Sequence, residues 1–285
     1  MVDSINNSLI SLGDCGPAAN TLIEKVSNAV GAVFEPWQIK RVAKAQAEAD
    51  ITKAATEIQI SGLQRRAMRR FLDEEARRQQ NIEDITAKAL PQLDQGTDAS
   101  GMEDDWVTNF FDKCRIISNE EMQQVWSRVL AGEANAPGSY SKRTVNFLAE
   151  LDKSDAEQFA KLTSFGWSKE NGIPLIFDPT APIYTNNGIT TGTLRHLQSI
   201  GLIDFQAIGA LQLKDQAMPV KFEYFGRFLR VHPTKDNNTI SLGKVSLTQI
   251  GLQLAPISGA KQIDGVFDYV KKQWATLKAE EIPPS

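Results

Sequence analysis

The chain has 285 residues, 41% of them hydrophobic, and its 31 Lys and Arg against 35 Asp and Glu leave a net charge of −4. That length suits one large or two ordinary domains, and the weak negative charge provides no global basic field to attract nucleic acid or anionic lipid. Cys15 and Cys114 are too few for a disulfide framework, and neither a signal peptide nor a membrane-spanning apolar run is visible, so the expected compartment is a reducing cytoplasm.

Between Pro17 and Phe34 the apolar residues Ala19, Leu22, Ile23, Val26, Val30 and Val33 recur every three or four positions, with Asn20, Glu24, Lys25 and Asn28 opposite. This is an amphipathic helix opened by Gly16-Pro17 and closed by Glu35-Pro36. Its apolar face is expected to pack on protein. The alternative, a membrane-active helix, lacks the Lys/Arg face that surface-lying helices carry.

From Trp37 to Leu93, Ala, Glu, Gln, Lys and Arg dominate, and Gly62 is the one glycine. These are strong helix formers, and an unbroken helix here spans on the order of 80 Å. The QQN of Gln79–Asn81 interrupts the apolar stripe and predicts a bend. A stripe that long has no intrachain partner of equal length, which predicts a homo-oligomer or a protein partner. The candidate contacts are Leu22, Val26, Val30, Ile58, Leu63 and Phe71. Arg65, Arg66, Arg69 and Arg70 form a basic knot, but Asp73, Glu74 and Glu75 follow one turn later and are expected to neutralise it along a solvated face.

Residues 96–105 read as a flexible acidic linker, with Glu103, Asp104 and Asp105 serving as N-terminal charges for the next helix rather than as metal ligands. Helices are expected at Trp106–Ile116, at Ser118–Ala131 with Ser118 and Glu121 as a capping box, at Lys142–Leu151, and from Ser154. Trp106, Phe110, Phe111, Trp126, Val129, Leu130, Phe147 and Leu148 fall at core-facing positions. After Gly166 the period changes. GIPLIFDP and APIYTNNG read as short strands, Ile189–Ile200 as a helix ended by Gly201, and GLIDFQAIG as a strand. VKFEYFGRFLRVHP alternates like a hairpin with a bulge, a further strand and short helix follow, and Ile263–Leu277 is a closing helix.

The phrases Leu194, Leu197, Gly201, Leu202, Ile203 and, later, Leu247, Thr248, Gly251, Leu254 resemble the recognition helix and the post-wing step of winged-helix regulators. The resemblance implies that Thr190, Thr191, Thr193, Arg195, His196 and Gln198 face a DNA major groove, with Thr191, Arg195, His196 and Gln198 the candidate nucleic-acid contacts. Only seven Lys and Arg against four Asp and Glu lie between Thr190 and Ile250, a thin charge for neutralising phosphates, so a winged helix used for protein contact is the favoured form. Over most of its length the chain also resembles a bacterial domain family of unknown function, through GPAANTLIEKVSNAVGAVFEPWQIKR, DDWVTNFFDKCRIISNEEMQQVWSRVLAGE, PGSYSKRTVNFLAELDKSDAEQF and LTQIGLQLAPI. Met122–Phe159 is more distantly similar to abortive-infection alpha proteins, whose pattern falls on Trp126, Val129, Leu130, Ala131, Leu151, Asp155 and Ala156, with Val129 where Leu is common. That resemblance implies a bacterial cytoplasmic protein tied to phage defence, and it carries over no catalytic residue.

His196 and His232 are the only histidines, which argues against triad or His-metal chemistry, and no phosphate-binding glycine motif is present: Gly188 and Gly192 lack the lysine and preceding strand. Cys114 sits on an apolar helix face, the setting of a structural thiol. No catalytic residue, cofactor or metal ligand is expected, although a carboxylate-only site stays open. The fold expected is mainly α: a helical arm at 1–95, a linker at 96–105, a central helical module at 106–168, and a winged-helix-like α+β domain with a C-terminal helix at 169–285. The function expected is that of a non-enzymatic, homo-oligomeric interaction or effector protein. The alternatives are a winged-helix DNA-binding regulator and a membrane-disrupting effector acting through Pro17–Phe34.

Overall fold

A computed structural model of the chain describes residues 16–31, 62–167, 172–214, 219–233 and 239–283. The chain divides between Ala149 and Glu150 into two units. Helices build the first, and helices with small antiparallel sheets build the second.

In the first unit, α1 (Pro17–Val30) begins on its proline and ends at Gly31, whose φ of +92° only glycine adopts freely. Leu22, Ile23 and Val26 are buried, and the helix lies against α3 (Asp104–Cys114) and a 3₁₀ turn at Ala99–Gly101. Between α1 and α3 runs α2 (Gly62–Ala89), a continuous 28-residue helix whose second half packs along α4 (Glu120–Asn135). The unit closes with α5 (Lys142–Glu150). Its core is aromatic: Phe110 lies 5.1 Å from both Trp106 and Trp126, and the Trp106 indole N–H donates to the Tyr140 carbonyl at 2.6 Å. Phe147 is half-buried, whereas the other core residues expected in this stretch are buried.

The helix is unbroken through Gln79–Asn81, where a bend is expected, and these polar residues meet polar partners there. The Asn81 amide donates to the Arg115 carbonyl (2.8 Å), and Gln123 of α4 donates to the Ile117 carbonyl (2.9 Å) and accepts from Lys88 (2.6 Å). A polar seam therefore runs between α2 and α4, every member hydrogen-bonded, as burial demands. The part of the expected arm from Trp37 to Ser61, including Ile58, lies outside the described residues. Residues 96–105 are no free tether either: Ala99 and Met102 are buried, and the Asn135 side chain accepts from Thr97 (2.7 Å) and from the Asp94 N–H (3.0 Å). The acids around them masked two apolar anchors. The cap of α4 shifts by one residue, from Ser118 to Asn119, whose side chain accepts from the Met122 N–H.

The second unit opens with α6 (Lys153–Thr163), and its boundary lies well before the expected 168/169. The reason is packing: Trp167 stacks on Tyr224 and Phe267 at 5.0 and 5.4 Å, and the Tyr224 hydroxyl donates to the Ser164 carbonyl at 3.0 Å. β1 (Gly166–Trp167) pairs with β2 (Ile173–Pro174). The expected strand in APIYTNNG is instead the helical turn α7 (Pro182–Thr185). Pro182 starts it, and buried Tyr184 bonds back to the Leu175 carbonyl at 2.7 Å. Then follow α8 (Thr191–Ser199) and β3 (Ile203–Phe205), which pairs antiparallel with the later β8 (Val245–Leu247). Between them β4 (Leu211–Lys214) pairs with β7 (Thr239–Gly243), and β5 (Val220–Tyr224) with β6 (Arg227–Val231). The β5–β6 connection is a two-residue turn, not a bulge: Phe225 and Gly226 have φ of +45° and +81°, the pattern that matches strand twist. α9 (Gln249–Leu254) starts on Thr248, whose hydroxyl donates to the Gly201 carbonyl at 2.7 Å. Gly251 lies so close to the Leu202 carbonyl that no side chain fits, which is the physical content of the LTxxGxxL phrase. α10 (Val266–Gln273) buries Val266, Phe267 and Val270, and buried Trp274 follows it. The last strand, β9 (Glu280–Ile282), adds to β6.

Candidate functional site

Two surfaces carry the residues singled out above, one in each unit. In the second unit the Thr190 hydroxyl caps α8 by accepting from the Thr193 N–H (3.2 Å), and Leu194 and Leu197 hold the helix on the core. That rotation exposes Thr191, Arg195, His196 and Gln198. Asp155 stands in the first turn of α6, where the helix N-terminus favours a carboxylate. Its Oδ1 lies 2.7 Å from His196 Nε2, with side-chain exposures of 15% for the aspartate and 44% for the histidine. The pair stands in an open cleft of about 690 Å³ between α6 and α8, which Lys161, Gln158, Gly188 and Thr193 also line.

A carboxylate that orients an imidazole is half of a hydrolytic triad; the other half is a nucleophile within reach of the second ring nitrogen. The hydroxyl one turn back, Thr193, is engaged: it donates to the Gly188 carbonyl at 3.0 Å and lies 3.0 Å from the Thr190 hydroxyl. Cys114, in the first unit, is buried, and burial pushes its thiol well above the ordinary range, the opposite of an activated nucleophile. Among the described residues no group of three or more His, Cys, Asp or Glu side chains is arranged to hold a metal ion. The Asp155–His196 pair clamps α6 to α8, and His196 stays exposed beside Arg195.

In the first unit the six expected contact residues divide. Leu22 and Val26 are fully buried inside the unit, so they are not offered to a partner, and Val30 is half-exposed. Leu63 and Phe71 are 68% and 60% exposed, and Met68, which the expected contacts did not include, is 45% exposed. Every residue from Gly62 to Phe71 is exposed. Of the basic knot, Arg70 pairs with Glu74 at 3.4 Å, as expected; Arg78, beyond the knot, pairs with Glu75 rather than with Glu74. Sequence reasoning also missed Ile208, 93% exposed in the loop after β3. The Lys244 ammonium donates to the carbonyls on either side of it, Ala207 (3.2 Å) and Gly209 (3.1 Å). No periodicity marks a single residue held out by a cation 36 positions downstream.

Residues 65–271 match the model of a family described as protein of unknown function, DUF2806. The chain belongs to the DUF2806 family. The DUF2806 match begins near the exposed end of α2 and ends within α10, so it includes the α6–α8 cleft and leaves α1 and β9 outside. No curated protein and no solved structure matches the chain. Among the described residues no helix is long and apolar enough to cross a membrane.

Proposed function

We propose that this DUF2806 chain is a non-enzymatic interaction protein that assembles with itself through the first half of α2. One observation carries the reading. The face of α2 that packs on α4 through Ile82, Ile85 and Ala89 continues towards the N-terminus as Leu63, Ala67 and Phe71 at the same helical spacing, and there it is exposed. Covering a side chain such as Leu or Phe is worth roughly 1.5–3 kcal/mol, so an uncovered stripe of this kind marks a contact surface. The test is light scattering on the full chain. The wild type is expected to be an oligomer at micromolar concentration, and Leu63→Asp with Phe71→Asp is expected to convert it to a folded monomer. A monomeric wild type sinks the reading. The similarity of Met122–Phe159 to abortive-infection alpha proteins supports an effector role in the bacterial cytoplasm during phage defence, which a phage-plating comparison of strains with and without the chain tests.

A second reading, a winged-helix module, is favoured by the order of elements in the second unit: α6, β1 and β2, the isolated bridge of Ile176 to Gly243, α7, α8, β3, the β4–β7 and β5–β6 strand pairs, and β8. In that reading α8 is the contact helix. Its outward residues Thr191, Arg195 and Gln198 include one arginine and no lysine, and the fourth, His196, stands against the Asp155 carboxylate. A protein partner suits such a face better than a phosphate backbone.

A further inference from the structure

The closing segment of the chain is held in an unusual way. Trp274 and Leu277 are buried, and the chain then turns at Lys278, a non-glycine residue in the left-handed region (φ +51°, ψ +48°). After that turn no side chain among the described residues is buried: Glu280 and Glu281 are exposed and Ile282 is half-exposed. What binds β9 to β6 is the backbone ladder and a set of ion pairs. Glu281 meets the Arg227 guanidinium through two bonds (3.1 and 3.2 Å), and Glu280 meets Arg230 (3.4 Å) and His232 (3.1 Å). Arg227 is in turn fixed over the Phe267 ring at 3.7 Å, which sets its planar fork at the strand edge.

We propose that the edge of β6 is a strand-addition groove for an extended acidic peptide of another protein, and that the chain's own Glu280–Ile282 is a releasable strap across it. An exposed strand edge offers a row of backbone donors and acceptors that an extended peptide completes, while side-chain partners set which peptide it accepts. Here those partners specify two successive acids, the first read by Arg230 and His232 and the second by the bidentate Arg227. An apolar third residue follows, because Ile282 stands opposite Phe228. The strap itself is weakly held. Solvent-exposed ion pairs contribute little each, three residues make a short ladder, and the left-handed Lys278 adds strain that release removes. What keeps the strap in place is tethering, which gives it a high effective concentration. A competing peptide must therefore bind better than the strap, or the strap must first be weakened. The inference does not depend on assembly through α2, because β6 and β9 belong to the second unit and lie apart from that helix in sequence.

The test uses a fluorescein-labelled peptide of residues 279–285 and the full-length chain. Glu280→Lys with Glu281→Lys removes the strap's ion pairs and leaves the groove residues intact. The labelled peptide is expected to bind this variant about tenfold or more tighter than the wild type, and to lose that binding when Arg227→Glu and Arg230→Glu are added. Equal affinity for wild type and strap variant, or no binding to the strap variant, overturns the proposal. If the strap variant does not fold, hydrogen exchange on the wild type decides. Amides of residues 280–282 are expected to exchange about tenfold or more faster than those of β5, and equal protection of the two overturns it.

Discussion

At the scale of single residues, buried polar groups set the geometry of the first unit. Glu133 is the clearest case. Its carboxylate accepts from the backbone N–H groups of Gly138 (2.7 Å) and Tyr140 (2.8 Å), closing the Pro-Gly turn onto α4. Gly132 beside it carries no side chain because a Cβ there would lie 2.7 Å from the Tyr140 ring. Burial is the largest influence on Glu133 and raises its carboxyl above the ordinary 4.5, against the lowering effect of the two N–H bonds. A raised carboxyl favours folding when protonated. Its contribution is therefore complete below pH 4.5 and is lost as pH rises through the shifted value. Glu133→Gln is expected to remove that pH dependence from the unfolding free energy, measured by urea titration from pH 4 to 8. Glu133→Ala strands two N–H donors and is expected to cost about 2 kcal/mol or more. An unchanged pH profile in the Gln variant would refute the assignment.

At the scale of elements, β9 makes the opposite pH prediction. Glu280 and Glu281 are held below their ordinary 4.5, Glu280 chiefly by the His232 hydrogen bond and Glu281 chiefly by the Arg227 hydrogen bond. For a lowered carboxylate the stabilising contribution is present above pH 4.5 and is lost as pH falls through the shifted value. Hydrogen exchange at residues 280–282, corrected for intrinsic rates, is expected to accelerate on acidification while β5 and β6 stay protected. Parallel loss of protection in all three strands would contradict this. Elements were also where sequence patterns served unevenly. α8 and α10 were legible because two or more turns of regular apolar spacing leave little ambiguity, and the alternation of VKFEY and RFLRV gave β5 and β6. α7 was misread as a strand because four residues are too few to show a period, and Pro182 opens a helix as readily as it borders a strand.

At the scale of the whole molecule, the choice lies between assembly and nucleic-acid binding as the chain's use of its two surfaces. A duplex-binding winged helix must neutralise phosphates, so its affinity falls steeply with salt. With one arginine on the outward face of α8, full-length protein is expected to show no sequence-specific duplex binding at physiological salt in a fluorescence-anisotropy titration. A sequence-selective complex that Arg195→Ala abolishes would reverse the order of the two readings. His196→Ala separates the structural from the recognition role. A clamp between partly exposed groups is worth about 1 kcal/mol or less, so the variant is expected to lose a little stability and no binding.

The sequence by itself determined the mainly helical character, the α+β nature of the C-terminal part, the helix ends at proline and glycine, and the aromatic core positions. All of these are written in spacings of a few residues, where backbone geometry translates pattern directly into structure. Only the tertiary structure decided that Leu22 and Val26 are interior while Leu63 and Phe71 are not, since all four fit equally regular stripes and burial depends on what other segment arrives. The same holds for the pairing of His196 with Asp155, 41 residues away, and of Glu280 and Glu281 with Arg230 and Arg227, about 50 away. Such contacts leave no local period because each is formed by packing between segments whose own sequences are indifferent to it.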